Sequence, residues 1–106
     1  MLAKFYEEHW NDENGNPAGG VSTGTGMCIS WQNGPLGRGN DRKEPNGAFV
    51  ETVIAAAKSR LMFYESTKFH CDENLQAIMH LKAALDVLNE RTQSREKREV
   101  EGTHGV

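Results

Sequence analysis

Hydrophobic positions recur at three- and four-residue intervals through the second half of the chain. Val50, Val53, Ile54, Ala57, Leu61 and Tyr64 line one face of a helix predicted over residues 47–66, with Asn46 as its cap. After a short turn over 67–71, Asp72 caps a second predicted helix in which Ile78, Leu81, Leu85 and Leu88 keep a seven-residue repeat. So close a connection predicts an antiparallel hairpin. Phe49, Phe63, Phe69, Leu75, Met79 and Val87 lie outside the seam, so the hairpin carries apolar surface that needs another partner.

The first half has a weaker rhythm. Leu2, Phe5, Tyr6 and Trp10 have the spacing of one or two turns of amphipathic helix over residues 1–10. Residues 11–26 are rich in Asn, Gly, Ser and Thr, with little to bury, and read as a loop or loosely ordered arm. Residues 27–32, with Ile29 and Trp31 between glycine turns, are the one segment that reads as a strand. A polar, charged loop over 36–46 follows. The expected fold is therefore mainly α: an antiparallel two-helix hairpin with a short N-terminal helix and a short β-strand segment, assembled as a homo-oligomer. An arm (1–26) precedes a single hairpin domain (27–106).

Length and composition sharpen this expectation. A chain of 106 residues, 37% hydrophobic and 25% charged, has room for one small core, and self-association is the remedy for a core near the margin of stability. The net charge of −3, shared between the two halves, leaves no basic stripe for a DNA or RNA duplex. No apolar run reaches the ~20 residues of a membrane span. Cys28 and Cys71, far apart in a chain without an apolar signal segment, read as reduced thiols of an intracellular protein.

Candidate chemistry is sparse. Arg91, Arg95 and Arg98 stand at i, i+4 and i+7 on one helix face. They form either a solvated charged end that suits the helix dipole, or an anion site in which guanidinium forks grip phosphate oxygens. Residues 100–106 are either a structureless tail or a strap whose backbone and Thr103 hydroxyl complete a pocket. Gly19, Gly20, Gly24 and Gly26 have no lysine or following helix to make a phosphate loop. The four histidines and two cysteines match no zinc spacing, so no metal or other cofactor is expected. No carboxylate pair, serine or cysteine has a setting that marks an enzyme.

Five short segments, read together, resemble one family. They are Trp31-Gln32-Asn33-Gly34-Pro35, Asn46-Gly47, Cys71-Asp72-Glu73-Asn74, Arg91-Thr92-x-x-Arg95-Glu96-x-Arg98 and Val100-Glu101-Gly102-Thr103-His104. Over about residues 27–106 they are similar to the hairpin domain shared by the phage anti-CBASS sponge and the Thoeris anti-defence sponge. The resemblance implies a homo-oligomer, commonly a hexamer, that acts in the host bacterial cytoplasm. It implies sequestration of cyclic nucleotide immune messengers without cleavage, whether cyclic di- and trinucleotides or cyclic ADP-ribose isomers such as glycocyclic ADP-ribose. By the same motifs, Tyr64 stacks on a base, Asn74 bonds a base edge or ribose, Arg91 and Arg95 hold phosphates, and Thr103 adds a tail contact. Trp31, Gln32 and Asn33 line the same region. A hydrolase of the same messengers and a protein-binding helical hairpin are the alternatives. The loop over 36–45 is longer and more charged than the family core needs, and residues 1–26 match none of these motifs.

Overall fold

The computed structural model describes residues 1–106, which divide into two compact units. The first comprises Met1–Phe49 and Glu99–Val106, the second Val50–Arg98. The first is built on a three-stranded antiparallel meander, β1 (Phe5–Asn11), β2 (Pro17–Gly24) and β3 (Met27–Trp31), in the order β1-β2-β3. The second consists of α1 (Val50–Glu65) and α2 (Asp72–Lys97), packed on one another.

The sheet overturns the expectation of a mainly α chain: the fold is mixed α/β. Residues 1–10 form no helix, because Phe5–Asn11 is β1. A helix of two turns is shorter than an isolated helix needs in water, whereas the same residues in a strand gain a ladder to β2. Nor are residues 11–26 a loop. They are a turn and then the central strand, whose Gly20, Ser22 and Gly24 stand opposite His9, Glu7 and Phe5 on one side and Trp31, Ile29 and Met27 on the other.

The central strand is poor in large side chains because there is no room for them. A Cβ on Gly20 would lie 2.5 Å from the Glu8 carbonyl oxygen, and one on Gly19 would meet the Trp10 ring and the Asn33 side chain at 3.2 Å. Ser22 is buried beneath Trp31, whose indole Nε1 donates to its hydroxyl at 2.9 Å. Hence small residues replace the apolar alternation that usually marks a half-buried strand.

The two turns follow their residues. Asp12 Oδ1 accepts from the backbone N–H groups of Asn14 (2.9 Å) and Asn16 (3.0 Å), and Gly15 takes a positive φ of 80°. The Asn16 N–H is the chief reason that the Asp12 carboxyl sits below its ordinary range. At the second turn Gly26 has φ 73° between the Gly24–Met27 pair.

Beyond β3 the chain returns alongside it in a parallel bridge between Trp31 and Ala48, with Gln32 N–H donating to Ala48 O (3.0 Å) and Ala48 N–H to Ser30 O (2.7 Å). Gly47 is required there, since its Cβ would fall 2.5 Å from the Trp31 carbonyl oxygen. Asn46 does not cap a helix: α1 begins at Val50, and the Asn46 amide instead grips the backbone of Asn33.

In the second unit Val53, Ile54, Leu61, Ile78, Leu81, Leu85 and Leu88 are half-buried, as the spacing predicts, whereas Val50, Ala57 and Tyr64 of the expected apolar face are exposed. No apolar side chain of the chain is fully buried. Phe69, Met79 and Val87 are 67%, 69% and 62% exposed, so much of the hairpin's apolar surface outside the seam remains open.

Candidate functional site

The expected ligand contacts fall into three groups. At the carboxyl end of α1, Tyr64 belongs to an exposed cluster with Arg60 and Phe63 at i, i+3 and i+4. The Arg60 Nε donates to the Tyr64 hydroxyl at 3.1 Å, and its guanidinium carbon lies 4.9 Å from the centroids of both rings. Those rings are 5.9 Å apart and tilted by 53°. The arrangement offers an aromatic face beside a fixed cation, suited to a nucleobase with a phosphate nearby. Arg60 and Phe63 escaped the sequence reading as a site, although their spacing with Tyr64 was legible.

Asn74, in the first turn of α2, lies just across the interhelix turn. Its Nδ2 donates to the Phe69 carbonyl at 3.4 Å. The turn is braced by Thr67 Oγ1, donating to Tyr64 O at 2.5 Å, and by the Cys71 N–H, donating to the Glu65 carboxylate at 2.9 Å. These bonds hold the Tyr64 backbone and the start of α2 in a defined geometry.

The arginine row occupies the other end of α2. Arg91 is exposed and Arg95 half-buried, while Arg98 folds back so that its Nε donates to Ser94 O at 3.3 Å. Beside the row, Glu90, Gln93, Ser94 and Lys97 line a shallow depression. Arg91 stands seventeen residues beyond Asn74 in one helix, about 26 Å along its axis. A single copy therefore cannot bring the Tyr64–Asn74 end and the arginine end of its own hairpin to one small ligand.

The third group lies in the first unit, where most polar atoms are engaged in the fold. Trp31 bonds Ser22. Gln32 Nε2 donates to Gly34 O at 3.2 Å, and Gln32 Oε1 accepts from the Asn46 N–H at 2.9 Å. The Asn33 N–H donates to Asn46 Oδ1 at 2.8 Å, while Asn46 Nδ2 returns a bond to Asn33 O at 3.0 Å. Two of the matching motifs thus meet as a structural clamp. Thr103 donates its hydroxyl to Val100 O at 2.5 Å and accepts from the Gly105 N–H at 3.0 Å, so the tail is a built turn rather than a loose end.

No three His, Cys, Asp or Glu side chains gather as a metal-holding group, and both cysteines are free thiols. No helix is long and apolar enough to cross a membrane.

Fold and site together define a small α/β protein whose candidate contacts are rings, amides and guanidinium groups, of which Tyr64 and Arg91 are exposed. Its sequence is 41% identical over 76 residues, 72% of the chain, to Thoeris anti-defense 1 of Bacillus phage SBSphiJ7. The chain spans about half (51%) of that curated relative's length. The likeness supports the Thoeris anti-defence part of the expected kinship and carries nothing on CBASS. No family model matches the chain.

Proposed function

We propose that this chain is a phage anti-Thoeris protein that captures a cyclic nucleotide messenger and withholds it, intact, from its effector in the host cytoplasm. The likeness to Thoeris anti-defense 1 carries this reading. In this reading the base stacks on Tyr64 beside Arg60, Asn74 bonds the base edge or ribose, and Arg91 and Arg95 neutralise phosphate.

The separation of the two ends of α2 and the open apolar surface both favour a pocket formed between copies, in a homo-oligomer such as a hexamer. In such a seam the aromatic end of one hairpin meets the arginine end of another, and Thr103 adds a tail contact across a subunit boundary. Affinity then arises from pockets organised before the ligand arrives.

The test is to incubate glycocyclic ADP-ribose with the protein, separate the complex, denature it and chromatograph what is released. Intact ligand in stoichiometric amount supports capture. A linear product would make the protein a hydrolase, and failure to retain any cyclic ADP-ribose isomer, cyclic dinucleotide or cyclic trinucleotide tried in the same way would leave a protein-binding hairpin. Light scattering at micromolar concentration is expected to report an oligomer, and a monomer that still binds would remove the pocket from the seam.

A further inference from the structure

The loop over 36–45 and the tail over 99–106 are joined by contacts of three kinds. The Gly37 N–H donates to Gly102 O at 2.6 Å. Arg38 Nη1 donates to Glu101 O at 3.2 Å. Arg42 Nη1 pairs with Glu101 Oε2 at 2.8 Å and also donates to Gly37 O at 3.2 Å. The Glu101 side chain retains 23% of its exposure and Arg42 43%, so the ion pair is partly withdrawn from water and less screened than a pair on open surface.

Both strands of this contact are shaped for it. The loop closes on itself through Lys43 N–H to Leu36 O at 2.7 Å, with a 3-10 turn over Gly39–Asp41. Gly37 has φ 86°, and a Cβ there would lie 2.5 Å from Asp41 O. Gly102 has φ 79°, and its Cβ would strike Gly37 O at 2.5 Å and Arg42 Nη1 at 2.7 Å. Two glycines in left-handed geometry, back to back, allow the close approach that the guanidinium groups then hold. Thr103 follows Gly102 directly, and its N–H donates to Val100 O at 3.0 Å.

We propose that the charged loop is a latch for the C-terminal tail, and that Arg42 is a positioning residue of the messenger site, acting through Glu101 to fix Thr103. This rests on the reading of Thr103 as a ligand contact. The residues that make the loop longer and more charged than the hairpin needs thereby have a task. A latched tail presents its hydroxyl and backbone in one conformation, so little order remains to be gained on binding and the ligand leaves slowly.

The experiment compares the full-length protein with Arg42→Ala, Glu101→Gln and the charge-swapped pair Arg42→Glu/Glu101→Arg. Stopped-flow dissociation of glycocyclic ADP-ribose and hydrogen exchange at the Gly37 amide, whose partner is the tail, are the two readouts. Each single variant is expected to raise the dissociation rate about three- to tenfold with the association rate unchanged, and to speed Gly37 exchange. The swapped pair is expected to restore both in part, since it rebuilds the ion pair but not the bond from position 42 to Gly37 O, and mere loss of stability would not produce any restoration. Wild-type protein that binds no messenger would sink the functional reading, with the latch still judged by Gly37 exchange. Wild-type binding with unchanged dissociation in Arg42→Ala would overturn the positioning role, whatever the exchange shows.

Discussion

Replacing Asn46 with alanine tests the clamp that joins the end of β3 to the approach to α1. The Asn46 side chain makes two hydrogen bonds, both to the Asn33 backbone, at 2.8 and 3.0 Å. Each such bond contributes a net ~0.5–1.5 kcal/mol, and at an exposed position the lower part of that range applies. The loss expected for Asn46→Ala is thus about 1–2 kcal/mol, or a melting temperature lower by roughly 5–10 °C at fixed protein concentration. Both tryptophans, Trp10 and Trp31, lie in the first unit, so their fluorescence follows the affected part while helical dichroism follows the hairpin. Asn46→Asp keeps the acceptor but sets a carboxylate against the Asn33 carbonyl. It is expected to lose at least as much at neutral pH and to recover as acid protonates the new carboxyl into a donor. Asn33→Ala leaves both bonds in place, because they use Asn33's backbone. If Asn46→Ala melted like wild type by fluorescence, or if Asn33→Ala fell as far as Asn46→Ala, the clamp would be no support of the fold.

Other consequences can be measured independently. Arg91→Ala is expected to weaken messenger binding by about 1.5–3 kcal/mol, roughly ten- to 150-fold in Kd by calorimetry, with helical content unchanged. Unchanged affinity would remove Arg91 from the site. Gly20→Ala is expected to cost about 1–3 kcal/mol in urea unfolding, because relief of a 2.5 Å approach to Glu8 O requires β1 to move off β2. Glu99, at φ 60° just beyond α2, occupies a position that favours glycine, and Glu99→Gly is expected to raise stability by a few tenths to about 1 kcal/mol. The depressed Asp12 carboxyl contributes stability above its unfolded pKa of about 3.9 that is lost as pH falls through the folded value. Asp12→Asn is expected to flatten the acid limb of the stability profile, and a limb left unaltered would contradict this.

What was legible in the sequence was whatever repeats at a period the backbone imposes. Leu61, Ile78, Leu81, Leu85 and Leu88 marked the hairpin because a helix must gather its apolar residues on one stripe, and the strand at Met27–Trp31 had Ile29 and Trp31 on one face. The row of Arg91 and Arg95 followed from the same geometry. Beyond periodicity, five short motifs pointed to a family, and the 41% likeness to a Thoeris anti-defence protein agrees with that direction.

Tertiary structure decided the rest, through contacts between segments distant in sequence. Gly19, Gly20 and Ser22 read as a loop because glycine and serine carry no hydrophobic signal. They form the central strand because Glu8, Trp10, Trp31 and Asn33 crowd over them, a fact that exists only once β1 and β3 are in place. Leu2, Phe5, Tyr6 and Trp10 fitted a helical spacing, but so short a helix has too few bonds to survive alone, and pairing with β2 selects the strand. Asn46 had the chemistry of a cap, and its place beside Asn33 made it a clamp. Likewise Arg42 and Glu101, 59 residues apart, had no visible relation until Gly37 and Gly102 let their backbones meet. Local pattern governs which segments are helices, whereas close approach between backbones governs where small residues must stand.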